Sequence, residues 1–279
     1  MNHQKSQALD AIDRNRELLC RVSDQLWEHP EVGFHEKYAA ELYCDTLEAL
    51  GFQVERNLAG IPTAFSGTYG NDGPVIGFLG EFDALPGLSQ VEAALEKIPA
   101  QESAPGHGCG HNLLGVGSLA AAVAVKQYLQ DNHLPGTVVF FGCPAEEGGS
   151  GKGFMARSGV FQQVDIAFSW HPGEVNSVST EGTMSNYQIC YHFRGVSAHA
   201  AMSPEQGRSA LDALELMNIG VQFLREHVPT DTRIHYAITD TGGSAPGTVQ
   251  PYAQAVYLLR AVHPQQLIDL YDRGNKIAR

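Results

Sequence analysis

A buried-strand signature constrains this chain most. The run Val75-Ile76-Gly77-Phe78-Leu79 is apolar on both faces, the pattern of a buried central strand and not of one with a wet side. A helical stretch rich in small residues follows over 112–130, then a second apolar strand from Thr137 to Gly142. A short helix and a strand from Asp165 to Trp170 end this block. Helices alternating with buried strands predict an α/β sheet covered on both faces. Upstream, Ile12, Leu19, Val22 and Leu26 predict one helix over 4–28, stopped before His29-Pro30 because the residue before proline avoids the α region. Ala39, Leu42, Tyr43, Leu47 and Leu50 predict a second helix over 36–50 with Gly51 as its stop. Short strands are expected at 52–56, 63–68 and 74–80, and a loop over 86–112.

The character changes near residue 180. A strand over 186–195, a helix over 205–226, strands at 233–239 and 251–260, and a helix from 264 give a β-α-β-β-α order. This is the order of a small ferredoxin-like sandwich, which wants one more strand. Two domains are therefore expected, 1–180 and 181–279, in line with a prior of roughly 100–200 residues per domain. The net charge of −13 argues against nucleic-acid phosphates or an anionic membrane as partner. The N-terminus has no apolar signal region, and the longest apolar stretch, Leu119 to Val125, is far short of the ~20 residues that span a bilayer. Cys20, Cys44, Cys109, Cys143 and Cys190 are odd in number and widely spaced, as expected for reduced thiols in a cytoplasmic protein.

Five clusters could carry chemistry. Gly106-His107-Gly108-Cys109-Gly110-His111-Asn112 pairs a thiol with an imidazole in C-x-H spacing where a helix begins. Both are ligands for zinc and its neighbours; the plain alternative is a tight glycine turn. Pro144-Ala145-Glu146-Glu147-Gly148-Gly149 follows a strand, and one carboxylate there can bind metal while the other acts as base; a solvated acidic turn is the commoner fate of such a pair. His171 in Ser169-Trp170-His171-Pro172 is a ligand or a strand end. Asp83 lies in Gly80-Glu81-Phe82-Asp83-Ala84-Leu85-Pro86, on its own an ordinary turn, and His199 lies in Gly195-Val196-Ser197-Ala198-His199-Ala200-Ala201, on its own a polar loop. Jointly, four loops of one sheet bear potential ligands where a strand ends or a helix begins, which is where open sheets bind. A metal site is the expectation. The run Gly148 to Gly153 is not a phosphate loop, because Lys152 precedes glycine and position 146 is Glu. A cysteine hydrolase built on Cys109 would leave Glu146, Glu147 and His171 without a task.

Read in chain order, the motifs resemble a known family. They are His29-Pro30-Glu31-Val32-Gly33-Phe34, the 80–86, 106–112 and 144–149 segments, Trp170-His171-Pro172, Ser197-Ala198-His199-Ala200-Ala201 and Thr241-Gly242-Gly243-Ser244-Ala245-Pro246. Together they resemble the amidohydrolase branch of peptidase family M20, the aminoacylase/carboxypeptidase-type metallopeptidases. The wording is most similar to the aminobenzoyl-glutamate hydrolase B-subunit group, and the likeness covers essentially the whole chain. The resemblance implies a zinc-peptidase-like (phosphorylase/hydrolase-like) three-layer α/β/α catalytic domain, here incomplete, with a ferredoxin-like α+β lid. It implies two divalent metal ions, zinc or manganese, on Cys109, His111, Glu147 and His171. Glu146 would be general base to a metal-bridged water, His199 would polarise the scissile carbonyl, and Asp83 would be a supporting carboxylate. The implied substrate is an N-acyl amino acid, an aminobenzoyl-glutamate-like amide or a dipeptide. The implied assembly is a homodimer through the lid or a heteromer with a paralogous subunit.

Two departures stand out. The family's catalytic domain resumes after the lid and brings a last metal-ligating His, whereas this chain is expected to stop in the lid's second helix; His227, His235 and His263 all fall in the lid reading. Gly247 stands where the family usually has a substrate-holding Asn. An inactive remnant acting as a partner-binding subunit is the alternative function.

Overall fold

The computed structural model describes residues 3–178 and 182–279. The chain divides into two compact units, Met1–Asn176 and Ser177–Arg279. The expected boundary between 180 and 181 lies outside the described residues.

The first unit opens with α1 (His3–Arg14) and α2 (Arg16–Glu28). The single helix expected over 4–28 is broken at Asn15, which leaves helical geometry at φ −100°, ψ 7°. The Asn15 side-chain amide donates to the Ala11 carbonyl at 2.9 Å, a local bond that competes with continuation of the helix. Next come α3 (Lys37–Ala49), β1 (Gln53–Arg56), β2 (Phe65–Tyr69), β3 (Val75–Glu81), α4 (His111–Asn132), β4 (Thr137–Cys143), α5 (Gly151–Arg157) and β5 (Ile166–Phe168). The five strands form one mixed sheet in the order β1-β2-β4-β3-β5. All seven residues of β4 are buried, so the middle strand is β4, with β3 beside it.

Side-chain alternation divides β4 between two cores, as the period of two requires. Val138 and Phe140 pack with Leu26, Tyr43, Leu47 and Leu119 under the helices. Val139, Phe141 and Cys143 pack on the opposite face with Leu58, Ile61 and Met155. Helix α4 is buried along much of its length from His111 to Ala124, as a helix that is apolar nearly all round must be. This is a three-layer α/β domain. Pairing of β3 with β4 and with β5 is parallel, and the register sets Glu81 opposite Cys143 and Phe78 opposite Phe168. The segments after β3, β4 and β5 therefore leave the sheet at one edge, where α4 also begins.

The second unit holds β6 (Ser185–Arg194), α6 (Ala210–Arg225), β7 (Arg233–Asp240), β8 (Tyr252–Ala261) and α7 (Pro264–Ile277). Its antiparallel sheet runs β6-β8-β7. Ala253, Ala255, Tyr257, Leu259 and Ala261 form the buried face of β8 against Leu214, Met217 and Val221 of α6 and Leu267 and Leu270 of α7. Ser209 caps α6 by accepting the Asp212 N–H at 3.0 Å, a contact typically worth about 1 kcal/mol. Among the described residues, no helix is long and apolar enough to cross a membrane.

Candidate metal centre

The shared sheet edge brings together most of the residues singled out in the sequence. His111, the first residue of α4, is fully buried. Its Nδ1 lies 3.0 Å from the Asp83 carbonyl oxygen and 3.1 Å from Asp83 Oδ1. Both are acceptors, so Nδ1 carries a hydrogen, and Nε2 is the nitrogen that a neutral ring would offer as a lone pair. That Nε2 is buried and has no hydrogen-bond partner, and neither do Glu81 Oε2 and Glu147 Oε1. Glu81 Oε2 stands 3.1 Å from it, Glu146 Oε2 3.9 Å and Glu147 Oε1 4.0 Å. The Glu81 approach is close but lacks the angles of a hydrogen bond, which leaves both atoms unsatisfied.

His171, on the segment after β5, repeats this arrangement. Its Nδ1 donates to the Pro172 carbonyl at 2.9 Å, and its Nε2 faces Cys109 Sγ at 3.2 Å. Potential ligand atoms of Cys109, His111 and His171 all lie within 4.8 Å of one another, and so do those of Glu81, His111 and Glu146. Glu147 belongs to neither triplet, although its buried Oε1 is within reach of His111. Its backbone N–H donates to Asp83 Oδ2 at 2.9 Å, so Asp83 supports one imidazole and one glutamate at once.

The charges are unbalanced. Glu81, Asp83, Glu146 and Glu147 surround the His111 ring, Asp83 on the Nδ1 side and the three glutamates on the Nε2 side, with Lys152 paired to Glu81 Oε1. Burial opposes a charged His111 ring, yet Asp83 and Glu81 outweigh it and pull the imidazole up to about 10. Burial would likewise raise Glu81, but His111 and Lys152 hold its carboxyl down at about 2. Burial, then Glu147, pushes the Cys109 thiol up to about 11. Burial and the neighbouring Glu81 raise Glu146, whose side chain is 41% exposed. A proton on His111 is one way to offset this negative charge; a divalent cation, which thiolate, bare imidazole nitrogens and carboxylates all favour, is another. Two unpartnered buried oxygens within 4.0 Å of an unpartnered buried nitrogen fit a cation.

The sequence does not single out Glu81 and Lys152 as site residues. Their signals are present, a carboxylate ending a strand and a lysine in a glycine-rich turn, but each has a plainer reading. His199 lies in the second unit, where it is exposed and bridges to Thr248. Its Nδ1 accepts the N–H groups of Ala201 and Met202, both at 3.2 Å, so the hydrogen sits on Nε2. A cavity of about 950 Å³ opens beside Gly106, His107, Gly110 and Asn112, between Trp27 and the 89–105 loop, and none of the candidate ligands lines it.

A model of the peptidase family M20/M25/M40 matches residues 77–266. The chain is 48% identical over 269 residues to the B subunit of the p-aminobenzoyl-glutamate hydrolase of Escherichia coli K12, covering 96% of this chain and 56% of that protein. It is 30% identical over 276 residues to the Xaa-Arg dipeptidase of Mus musculus, covering 94% and 59%. The chain thus spans less than two thirds of the length of these relatives. Its fold is similar to that of an aminobenzoyl-glutamate utilization protein from Klebsiella pneumoniae, with a TM-score of 0.70 at 20% identity over 98% of this chain and 74% of the other. It is also similar to a dinuclear metal binding peptidase from Bacillus subtilis, with a TM-score of 0.61 at 21% identity over 95% and 70%. The family model spans more than half of the chain and takes in both halves of the ligand cluster, so the chain belongs to the peptidase family M20/M25/M40.

Proposed function

We propose that the chain takes part in metal-dependent hydrolysis of an amide bond. The observation that carries this reading is the buried and unpartnered Nε2 of His111 among carboxylates. Cys109, His111, Glu147 and His171 would hold two divalent ions, zinc or manganese. A bound divalent cation polarises a carbonyl oxygen and lowers the pKa of water to about 7. Glu146, the more exposed of the two glutamates, takes a proton from the attacking water and returns it to the leaving amine. His199 donates its Nε2 hydrogen to the carbonyl oxygen as that oxygen gains charge. Residues 1–180 form the catalytic part and 181–279 a lid.

The substrate class we assign is an N-acyl amino acid, an aminobenzoyl-glutamate-like amide or a dipeptide. The names of the relatives support it: one belongs to a p-aminobenzoyl-glutamate hydrolase and another is a dipeptidase. That the first is one subunit of its enzyme also supports a heteromer with a paralogous chain; a homodimer through the lid is the other assembly. The wide spacing of the free thiols supports a reducing, cytoplasmic setting. The test is metal content by elemental analysis after loading with zinc or manganese, then release of p-aminobenzoate from p-aminobenzoyl-glutamate. About two metals per chain with turnover is the expected result. Neither metal nor turnover, alone or with a paralogous subunit, would overturn the enzyme reading and leave a partner-binding role.

A further inference from the structure

The segment 29–36 has no role in the chemistry above, yet it ends on a carboxylate that points inward. Glu36 is fully buried. It occupies the N-cap position of α3, but its side chain makes no capping bond. Glu31 caps in its place: its carboxylate accepts the N–H groups of Lys37, Tyr38 and Ala39 at 3.1, 3.2 and 3.0 Å. Glu36 is thereby free to reach across the fold. Its Oε1 accepts the Ala145 N–H at 2.7 Å, and its Oε2 accepts the Thr63 hydroxyl at 3.1 Å. No Lys or Arg pairs with it among the described residues, so a carboxyl is kept in the core for these two donors.

Ala145 needs the help. Its φ is +55°, a left-handed conformation that costs a residue with a Cβ about 1–2 kcal/mol. Gly33 packs so tightly on it that a Cβ there would stand 3.0 Å from both Ala145 Cα and Cβ. The two N–H groups that flank Glu146 are each held by a carboxylate from another element, Ala145 by Glu36 and Glu147 by Asp83.

We propose that Glu36, backed by Thr63, is a positioning residue that locks the 144–147 turn and so aims Glu146 and Glu147 at His111. The metal part of this inference rests on the function proposed above; the locking of the turn does not. The test uses Glu36→Gln, Glu36→Ala and Thr63→Val in the full 279-residue chain. Three quantities are read: melting temperature, backbone hydrogen exchange across 143–150, and zinc affinity by competition with a chromogenic chelator. Glu36→Ala should unlock the turn, raise exchange there and weaken zinc by about 10-fold or more, as loss of an outer support typically does. Glu36→Gln should keep both near wild type, because its amide oxygen still accepts from Ala145. Thr63→Val should fall between the two. If Glu36→Ala does not fold, Glu36→Asp reads the same quantities with the carboxylate drawn back by one methylene. A folded Ala or Asp variant with wild-type exchange across 143–150 overturns the proposal. Wild-type zinc affinity in a variant whose turn has been released overturns its metal part. Failure of the wild type to bind zinc would instead sink the proposed function, while the exchange measurement still decides whether Glu36 locks the turn.

Discussion

Asp83 and His111 are joined twice, with His111 Nδ1 3.0 Å from the Asp83 carbonyl oxygen and 3.1 Å from its Oδ1. This double acceptor keeps a hydrogen on Nδ1 and turns Nε2 towards Glu81, Glu146 and Glu147. The other carboxylate oxygen of Asp83 holds the Glu147 N–H. Asp83→Ala should therefore disturb two candidate ligands at once. Zinc affinity is expected to fall by about 10–100-fold, read by chelator competition. Unchanged affinity in a folded variant would mean that Asp83 orients neither.

The two adjacent glutamates should separate cleanly. Glu146→Gln removes a base but leaves the buried oxygen of Glu147 in place. Turnover of p-aminobenzoyl-glutamate is expected to drop by about 10²–10⁴-fold with metal content intact. Glu147→Gln should lose metal. If Glu146→Gln loses metal as well, the two roles are assigned the wrong way round.

The five thiols should react in a fixed order. Cys20 and Cys190 are exposed, Cys44 and Cys143 buried. Burial pushes the Cys44 thiol up to about 11 and Cys143 up to about 12. Alkylation needs the thiolate, so iodoacetamide at pH 8 should label Cys20 and Cys190 first. Raising the pH towards 11 favours the Cys44 thiolate, so labelling of Cys44 should increase only in that direction. Cys109 should be protected by zinc. Cys109→Ser should weaken zinc binding, because a neutral hydroxyl replaces a thiolate. Equal alkylation of Cys109 with and without zinc, read by peptide mass spectrometry, would remove it from the site.

Much of this arrangement is legible in the chain itself. Val75 to Leu79 and Thr137 to Gly142 announce buried strands through their run of apolar residues, and the loops that follow them carry the ligand types. Which of the two strands lies in the middle is not legible, because being apolar on both faces reports burial and not rank within a sheet. The break at Asn15 escapes because no proline or glycine marks it and the apolar spacing runs on through it. Glu81 and Lys152 look like turn residues until the fold brings them to His111. Glu36 is the hardest to read: its position suggests a helix cap, and only the three-dimensional structure shows Glu31 taking over that task.

Tyr43 offers a stability test away from the charges. Its hydroxyl is buried with no hydrogen-bond partner, which costs about 1–3 kcal/mol. Tyr43→Phe should therefore leave the melting temperature unchanged or raise it. Gly115→Ala should lower it, because a Cβ there would meet the Tyr43 hydroxyl oxygen at 2.3 Å and the Glu81 carbonyl oxygen at 2.6 Å. Adding Tyr43→Phe should not fully rescue Gly115→Ala, since the backbone contact with Glu81 persists. Full rescue would place the whole penalty on the phenol.

The parallel register that sets Glu81 opposite Cys143 also bears on how such a chain can change length over evolution. Adding one residue within β3 or β4 would invert which side chains enter each core and carry one bank of ligands a step past the other. Insertions and deletions are confined by this to segments that leave the sheet and return to it, such as 86–105. Related sequences should therefore differ freely in size there and hardly at all between Val75 and Asp83 or between Thr137 and Glu147.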